Sequence, residues 1–120
     1  MKILVVDDEP LICEEFKDIL EEDGHEVDTC LSGPEALKKV AAKEYDLIFL
    51  DVLMPRMEGR EAFEAIKKVS RVPVAIMSGY LPPNKEREIL ALGAAACFRK
   101  PLELDRVRSL VNSIKLQRSN

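Results

Sequence analysis

Apolar residues along the chain take two alternating forms, short unbroken runs and stripes of helical period. Ile3-Leu4-Val5-Val6 is unbroken and predicts a buried strand. Ile12, Phe16, Ile19 and Leu20 then recur on one face of a helix. Pro10 suits that helix's first turn and Gly24 its end. Glu26 to Cys30 predicts a weaker strand. Ser32 and Glu35 have capping-box spacing and open a helix carrying Leu37, Val40 and Ala41 on one face. Leu47-Ile48-Phe49-Leu50 predicts another buried strand, and Ala62, Ile66 and Val69 mark a third helix. Pro73 to Met77 predicts a strand. Asn84 to Leu92 predicts a short helix with Asn84 as N-cap and Gly93 closing it. Ala95 to Arg99 predicts a fifth strand, and Val107, Leu110, Val111 and Ile114 stripe a last helix. His25, the sole histidine, falls in a helix-to-strand turn and reads as a surface residue.

These are five β-α units. Continuously apolar strands separated by helices imply a parallel sheet covered on both faces. Right-handed crossovers leave few topologies. The expected fold is α/β, a doubly wound five-stranded parallel sheet of order 2-1-3-4-5, the flavodoxin-like (β/α)5 arrangement. Residues 1–120 read as one domain without repeat or linker, and 117–120 as a frayed tail or the point where a longer chain continues.

Composition narrows the function. A net charge of −4 argues against direct nucleic-acid binding by this domain. Cys13, Cys30 and Cys97 have no paired spacing, which argues against a disulfide framework or zinc site and for buried thiols in a reducing compartment. The first apolar run is too short for a signal peptide, and no stretch approaches the ~20 apolar residues of a membrane span. The expected setting is cytoplasmic, with no membrane contact.

In such sheets ligands bind beyond the carboxyl ends of the strands, where strand order reverses. Asp7-Asp8 follow strand 1, Asp51 follows strand 3, Ser78-Gly79 end strand 4 and Lys100-Pro101 end strand 5. By themselves, Asp7 and Asp8 would equally suit an acid-rich helix N-terminus. Three gathered carboxylates repel one another unless a cation neutralises them, and few, hard oxygen ligands suit Mg²⁺. A metal, a carboxylate, a hydroxyl and a lysine fit phosphoryl transfer, with the carboxylate as nucleophile and the cations neutralising the transferring oxygens. Pro101 restricts Lys100 and admits a cis bond that would fix the direction of the lysine.

The motifs Val5-Val6-Asp7-Asp8-Glu9-Pro10, Leu50-Asp51-Val52-Leu53-Met54-Pro55-Arg56-Met57-Glu58-Gly59, Met77-Ser78-Gly79-Tyr80 and Arg99-Lys100-Pro101 resemble those of two-component response regulator receiver domains, over essentially the whole chain. The resemblance implies Asp51 as phosphoacceptor, Asp8 as direct Mg²⁺ ligand, Asp7 as mainly water-mediated and the Leu53 main-chain carbonyl completing the protein's ligands. It implies Ser78 as switch hydroxyl, Gly79 beside it, and Lys100 as the phosphate-contacting lysine. The donor would be a phosphohistidine on a sensor histidine kinase or a histidine phosphotransfer protein. Phosphorylation would alter the face formed by the fourth helix, fifth strand and fifth helix, where an output domain, a partner or a second copy docks. Arg87, Arg106 and Arg108 are candidates for ion pairs across that face.

The chain departs from the family pattern where a Tyr or Phe usually stands three residues before the lysine. Here Cys97 occupies that place, and Phe98 follows on the opposite side of the strand. Pro82 and Pro83 stiffen the approach to the fourth helix. Leu53 and Tyr80, each two residues past a site residue, are expected to screen an aspartyl-phosphate from water. An aspartyl phosphatase is disfavoured because Leu53 stands where a second acid would protonate the leaving group. A flavin or nucleotide carrier is disfavoured because no glycine-rich loop follows strand 1. A receiver-shaped interaction module that does not use phosphate remains the alternative, supported by the missing aromatic.

Overall fold

The computed structural model describes residues 1–52 and 59–118. Ten elements alternate along them. They are β1 (Lys2–Val6), α1 (Pro10–Glu22), β2 (Glu26–Cys30), α2 (Gly33–Ala42), β3 (Leu47–Asp51), α3 (Gly59–Val69), β4 (Val74–Ser78), α4 (Pro83–Ala91), β5 (Ala96–Arg99) and α5 (Leu104–Arg118). All strand pairs are parallel, and the sheet order is β2-β1-β3-β4-β5 as expected. α5 runs through Arg118, into the segment expected to fray. None of the helices is long and apolar enough to cross a membrane, among the described residues.

Alternation along each strand divides the interior into two cores. Leu4, Val6, Ile48, Leu50, Val74, Ile76 and Cys97 face α2, α3 and α4. Ile3, Val5, Leu47, Phe49, Ala75, Met77 and Phe98 face α1 and α5. In the second core Phe16, Phe49 and Phe98 form a chain of rings, with centroids 5.0 and 6.3 Å apart. Phe98 therefore does not stand in for the ring absent at Cys97.

The helix ends follow local chemistry. At α1 the backbone turns at Gly24, whose φ of 92° is open to glycine, and the His25 N–H donates to Leu20 O. His25 is half-buried rather than a free surface residue, because its Nδ1 lies 3.1 Å from the Met1 amine. Burial, then that amine's charge, lower its pKa from the ordinary histidine value. Ser32 caps α2 by accepting from the Glu35 N–H. Glu35 accepts in return from Leu31, one residue before the N-cap, rather than from Ser32 as a capping box would have it. α4 corrects the expected cap. Pro82 holds the N-cap position, Pro83 is the first helical residue, and Asn84 lies inside the helix. Proline at that first position gives up only an N–H that the helix would leave unbonded.

Candidate functional site

Register carries the polar residues to one edge. Val6 pairs with Leu50, Asp51 with Met77 and Ser78 with Arg99, so the residues ending β1, β3, β4 and β5 emerge side by side. Asp7 and Asp51 are buried, whereas Asp8 reaches solvent. One carboxylate oxygen from each of the three lies within 4.8 Å of the others. Lys100 Nζ donates to Asp7 Oδ2 at 2.7 Å and to Asp51 Oδ2 at 2.9 Å. The Lys100–Pro101 peptide is cis. Burial works against the ammonium's charge, but the hydrogen bonds to Asp7 and Asp51 outweigh it and hold the Lys100 pKa above the ordinary lysine value.

The other Asp7 oxygen, Oδ1, accepts from the Glu9 N–H at 2.9 Å, which fixes the carboxylate at the turn into α1. Glu9 Oε1 stands 4.0 Å from Lys100, a further acid that the sequence reading did not single out although it adjoins Asp8. Cys13 is the buried thiol that the sequence predicts. Its thiol donates to the Asp7 carbonyl at 3.4 Å beneath the site, and burial, then the charge of Asp7, push its pKa up to about 11. It is an uncharged packing group there, not a nucleophile.

Ser78 is fully buried, and in this conformation its hydroxyl is turned into the following loop. Ser78 Oγ donates to the Tyr80 carbonyl at 2.7 Å and accepts from the Tyr80 N–H at 3.1 Å. The backbone holds Ser78 against the lysine strand, since the Lys100 N–H donates to Ser78 O at 2.8 Å. At Gly79 an added Cβ would meet nothing within 4 Å, so space alone does not require glycine there. Tyr80 is 74% exposed in this conformation. Leu53 lies outside the described residues. Of the three arginines assigned to a docking face, Arg108 is bonded within the chain to Asp23 at 2.9 Å, and Arg106 lies 5.6 Å from the centre of the Phe98 ring.

The cluster fits Mg²⁺. Its donors are hard carboxylate oxygens, too few to form a closed protein cage, with Asp8 open to water. Residues 3–112 match the response regulator receiver domain family. The chain belongs to that family.

Relatives cover the receiver in two ways. It is 38% identical over 114 residues to the transcriptional regulatory protein CpxR homolog of Haemophilus influenzae, and covers 95% of this chain but 48% of that one. It is 31% identical over 120 residues to sporulation initiation phosphotransferase F of Bacillus subtilis, and covers 99% of this chain and 97% of that one. A two-component response regulator structure from Clostridium difficile superimposes with a TM-score of 0.93 at 30% identity, covering 100% and 98% of the two chains. The chain thus spans about half the length of the first of these relatives and nearly all of the second. It is a phosphorelay receiver, a signalling module of the two-component class.

Proposed function

We propose that Asp51 is the phosphoacceptor of this receiver, with Asp7, Asp8 and Asp51 holding Mg²⁺. The observation that carries this reading is Lys100, whose ammonium lies between two buried carboxylates at the carboxyl edge of the sheet. A carboxylate of Asp51 attacks the phosphorus of a phosphohistidine on a sensor kinase or phosphotransfer protein. The P–N bond breaks, and its electron pair leaves with the imidazole, which takes up a proton. Bound Mg²⁺ would neutralise charge on the phosphoryl oxygens. Lys100 offers the same service from the protein side, already charged and aimed. Ser78 leaves Tyr80 and donates to a phosphoryl oxygen, with the Gly79 N–H beside it. In this way the receiver assists its own phosphorylation and dephosphorylation. The expected setting is the cytoplasm, where such donors work.

Phosphorylation adds about −1.5 to −2 charge, and its effect is a shift between two loop conformations. The altered surface is α4, β5 and α5, where Leu90 and Leu92 are exposed, and a second copy docking there is the reading for self-association. Sedimentation that stays monomeric after phosphorylation removes that last point.

The deciding experiment is intact mass after incubation with a small phosphodonor, with and without Mg²⁺, beside Asp51→Asn. A Mg²⁺-dependent phosphoryl adduct absent from the variant is the expected result. An adduct that persists in Asp51→Asn assigns the wrong acceptor. No adduct on folded protein favours the phosphate-independent module. The same adduct should decay faster in a Leu53→Asn, Tyr80→Ala double variant if those side chains close over it after phosphorylation; equal lifetimes remove that role.

A further inference from the structure

β5 presents its residues to two faces in turn, and this matters for how the site speaks to α4. Phe98 is committed to the core under α1 and α5, beside Phe49. Cys97 faces the α4 side, but it is small and buried, and burial pushes its thiol up to about 11. It can neither swing like an aromatic side chain nor carry charge at neutral pH. Arg99 has the same parity as Cys97 and immediately precedes Lys100. Its Nη2 donates to the Leu81 carbonyl at 3.1 Å and to Glu86 Oε2 at 2.9 Å. One guanidinium therefore ties the end of β5 to the β4–α4 loop and to the first turn of α4.

The loop it holds is the one that Ser78 must disturb. The Ser78 hydroxyl is closed onto the backbone of Tyr80, the residue before Leu81. The Leu81 side chain is buried, so its carbonyl is not free to follow Arg99 without repacking. For Ser78 to donate to a phosphoryl group on Asp51 it must break the Tyr80 turn, and the neighbouring carbonyl moves with that turn. The Arg99–Leu81 bond belongs to the conformation in which Ser78 is turned away.

We propose that Arg99 is a positioning residue that latches the β4–α4 loop in the unphosphorylated conformation and releases the Leu81 carbonyl when Asp51 is phosphorylated. It supplies, by hydrogen bonding, the link between β5 and the loop that Cys97 cannot make. The proposal rests on Asp51 as acceptor. By linkage, a contact made only in one conformation opposes any ligand that selects the other. Arg99 is about half exposed, at 55% of its side chain, so the effect is modest.

The test is calorimetric titration of the full chain with Mg²⁺ and fluoroberyllate, which mimics a phosphoryl group on aspartate. Parent, Arg99→Ala, Arg99→Lys and Glu86→Gln are compared, each with its unfolding midpoint. Arg99→Ala should bind fluoroberyllate about fivefold more tightly, a factor typical of modest coupling. Glu86→Gln, which leaves the Leu81 bond in place, should tighten binding less, and the double variant Arg99→Ala, Glu86→Gln no more than Arg99→Ala alone. Unchanged or weaker binding by Arg99→Ala overturns the latch, even with a lowered unfolding midpoint, which is all that a structural role would give. Should Arg99→Ala fail to fold, Arg99→Lys decides by the same sign. A parent that binds no fluoroberyllate overturns the acceptor reading and the latch with it; a binding parent with an indifferent Arg99→Ala removes the latch alone.

Discussion

Without Lys100, the buried carboxylates of Asp7 and Asp51 would share one edge with no protein ammonium between them. Removing one partner of a buried ion pair costs about 3–5 kcal/mol, because the remaining charge is left uncompensated. Lys100→Met should therefore lose about 3 kcal/mol in urea unfolding with chelator present. Mg²⁺ should restore much of it, since bound metal stabilises by about 2.7 kcal/mol at a hundredfold its dissociation constant. A variant equally stable with chelator and with Mg²⁺ contradicts this account. The places of Asp7, Asp51 and Ser78 were legible in the sequence because each follows an unbroken apolar run, and that of Lys100 because it follows the fifth strand; strand ends of one parallel sheet must share an edge. Arg99 was not legible as a link. A charged residue at a strand end reads the same whether it reaches water or a neighbouring carbonyl. The exposure of Tyr80 was equally hidden, since a loop's course depends on turns such as the one Ser78 makes with it.

Edge strand β2 shows what one element needs beyond its own pattern. Its carboxylates Glu26 and Asp28 are gathered by Lys43 Nζ at 3.2 and 3.1 Å, and Tyr45 OH donates to Asp28 Oδ2 at 2.7 Å. These bonds fasten the α2–β3 connection to β2 and place charge at the edge of the sheet. The Tyr45 hydrogen bond, ahead of the opposing effect of burial and then the help of Lys43, lowers the Asp28 pKa. A carboxylate with a depressed folded pKa contributes stability above its unfolded value, about 3.9, and loses it as pH falls through the folded one. Tyr45→Phe should cost about 1 kcal/mol near neutral pH, and the gap to the parent should shrink as the pH falls below the unfolded value of about 3.9 into acid. Urea unfolding at both pH values checks it; a gap unchanged in acid excludes the carboxylate as its source. The strand itself was the weakest of the five in sequence, because Glu26, Asp28 and Thr29 break the apolar run. The cap of α2 was legible because Ser32 and Glu35 are spaced for it. That of α4 was not, because two prolines set the helix start where side-chain capping would have placed it one or two residues later.

Taken whole, the molecule is a single sheet with a separate core on each side. The topology was readable from the alternation of runs and stripes together with handedness, which admits few windings of five parallel strands. The exclusive use of each face by alternate residues leads to a measurable outcome. Phe16→Leu in the α1–α5 core and Ile66→Val in the α2–α4 core should each cost about 1 kcal/mol. Combined, their costs should add to within about 0.5 kcal/mol, whereas Phe16→Leu with Phe49→Leu, whose rings touch, should depart further from the sum. Urea unfolding of the three single and two double variants reads this directly, and strong coupling between Phe16 and Ile66 would show that the sheet transmits packing strain. The same partition gives the fold an evolutionary freedom. A lineage can rewrite the helices of one face for a new correspondent while those of the other keep an old one, because the two sides share little besides the row of polar residues along a common rim. Duplicated copies can then diverge in whom they hear and whom they address, one side at a time, without reinventing the chemistry that joins them.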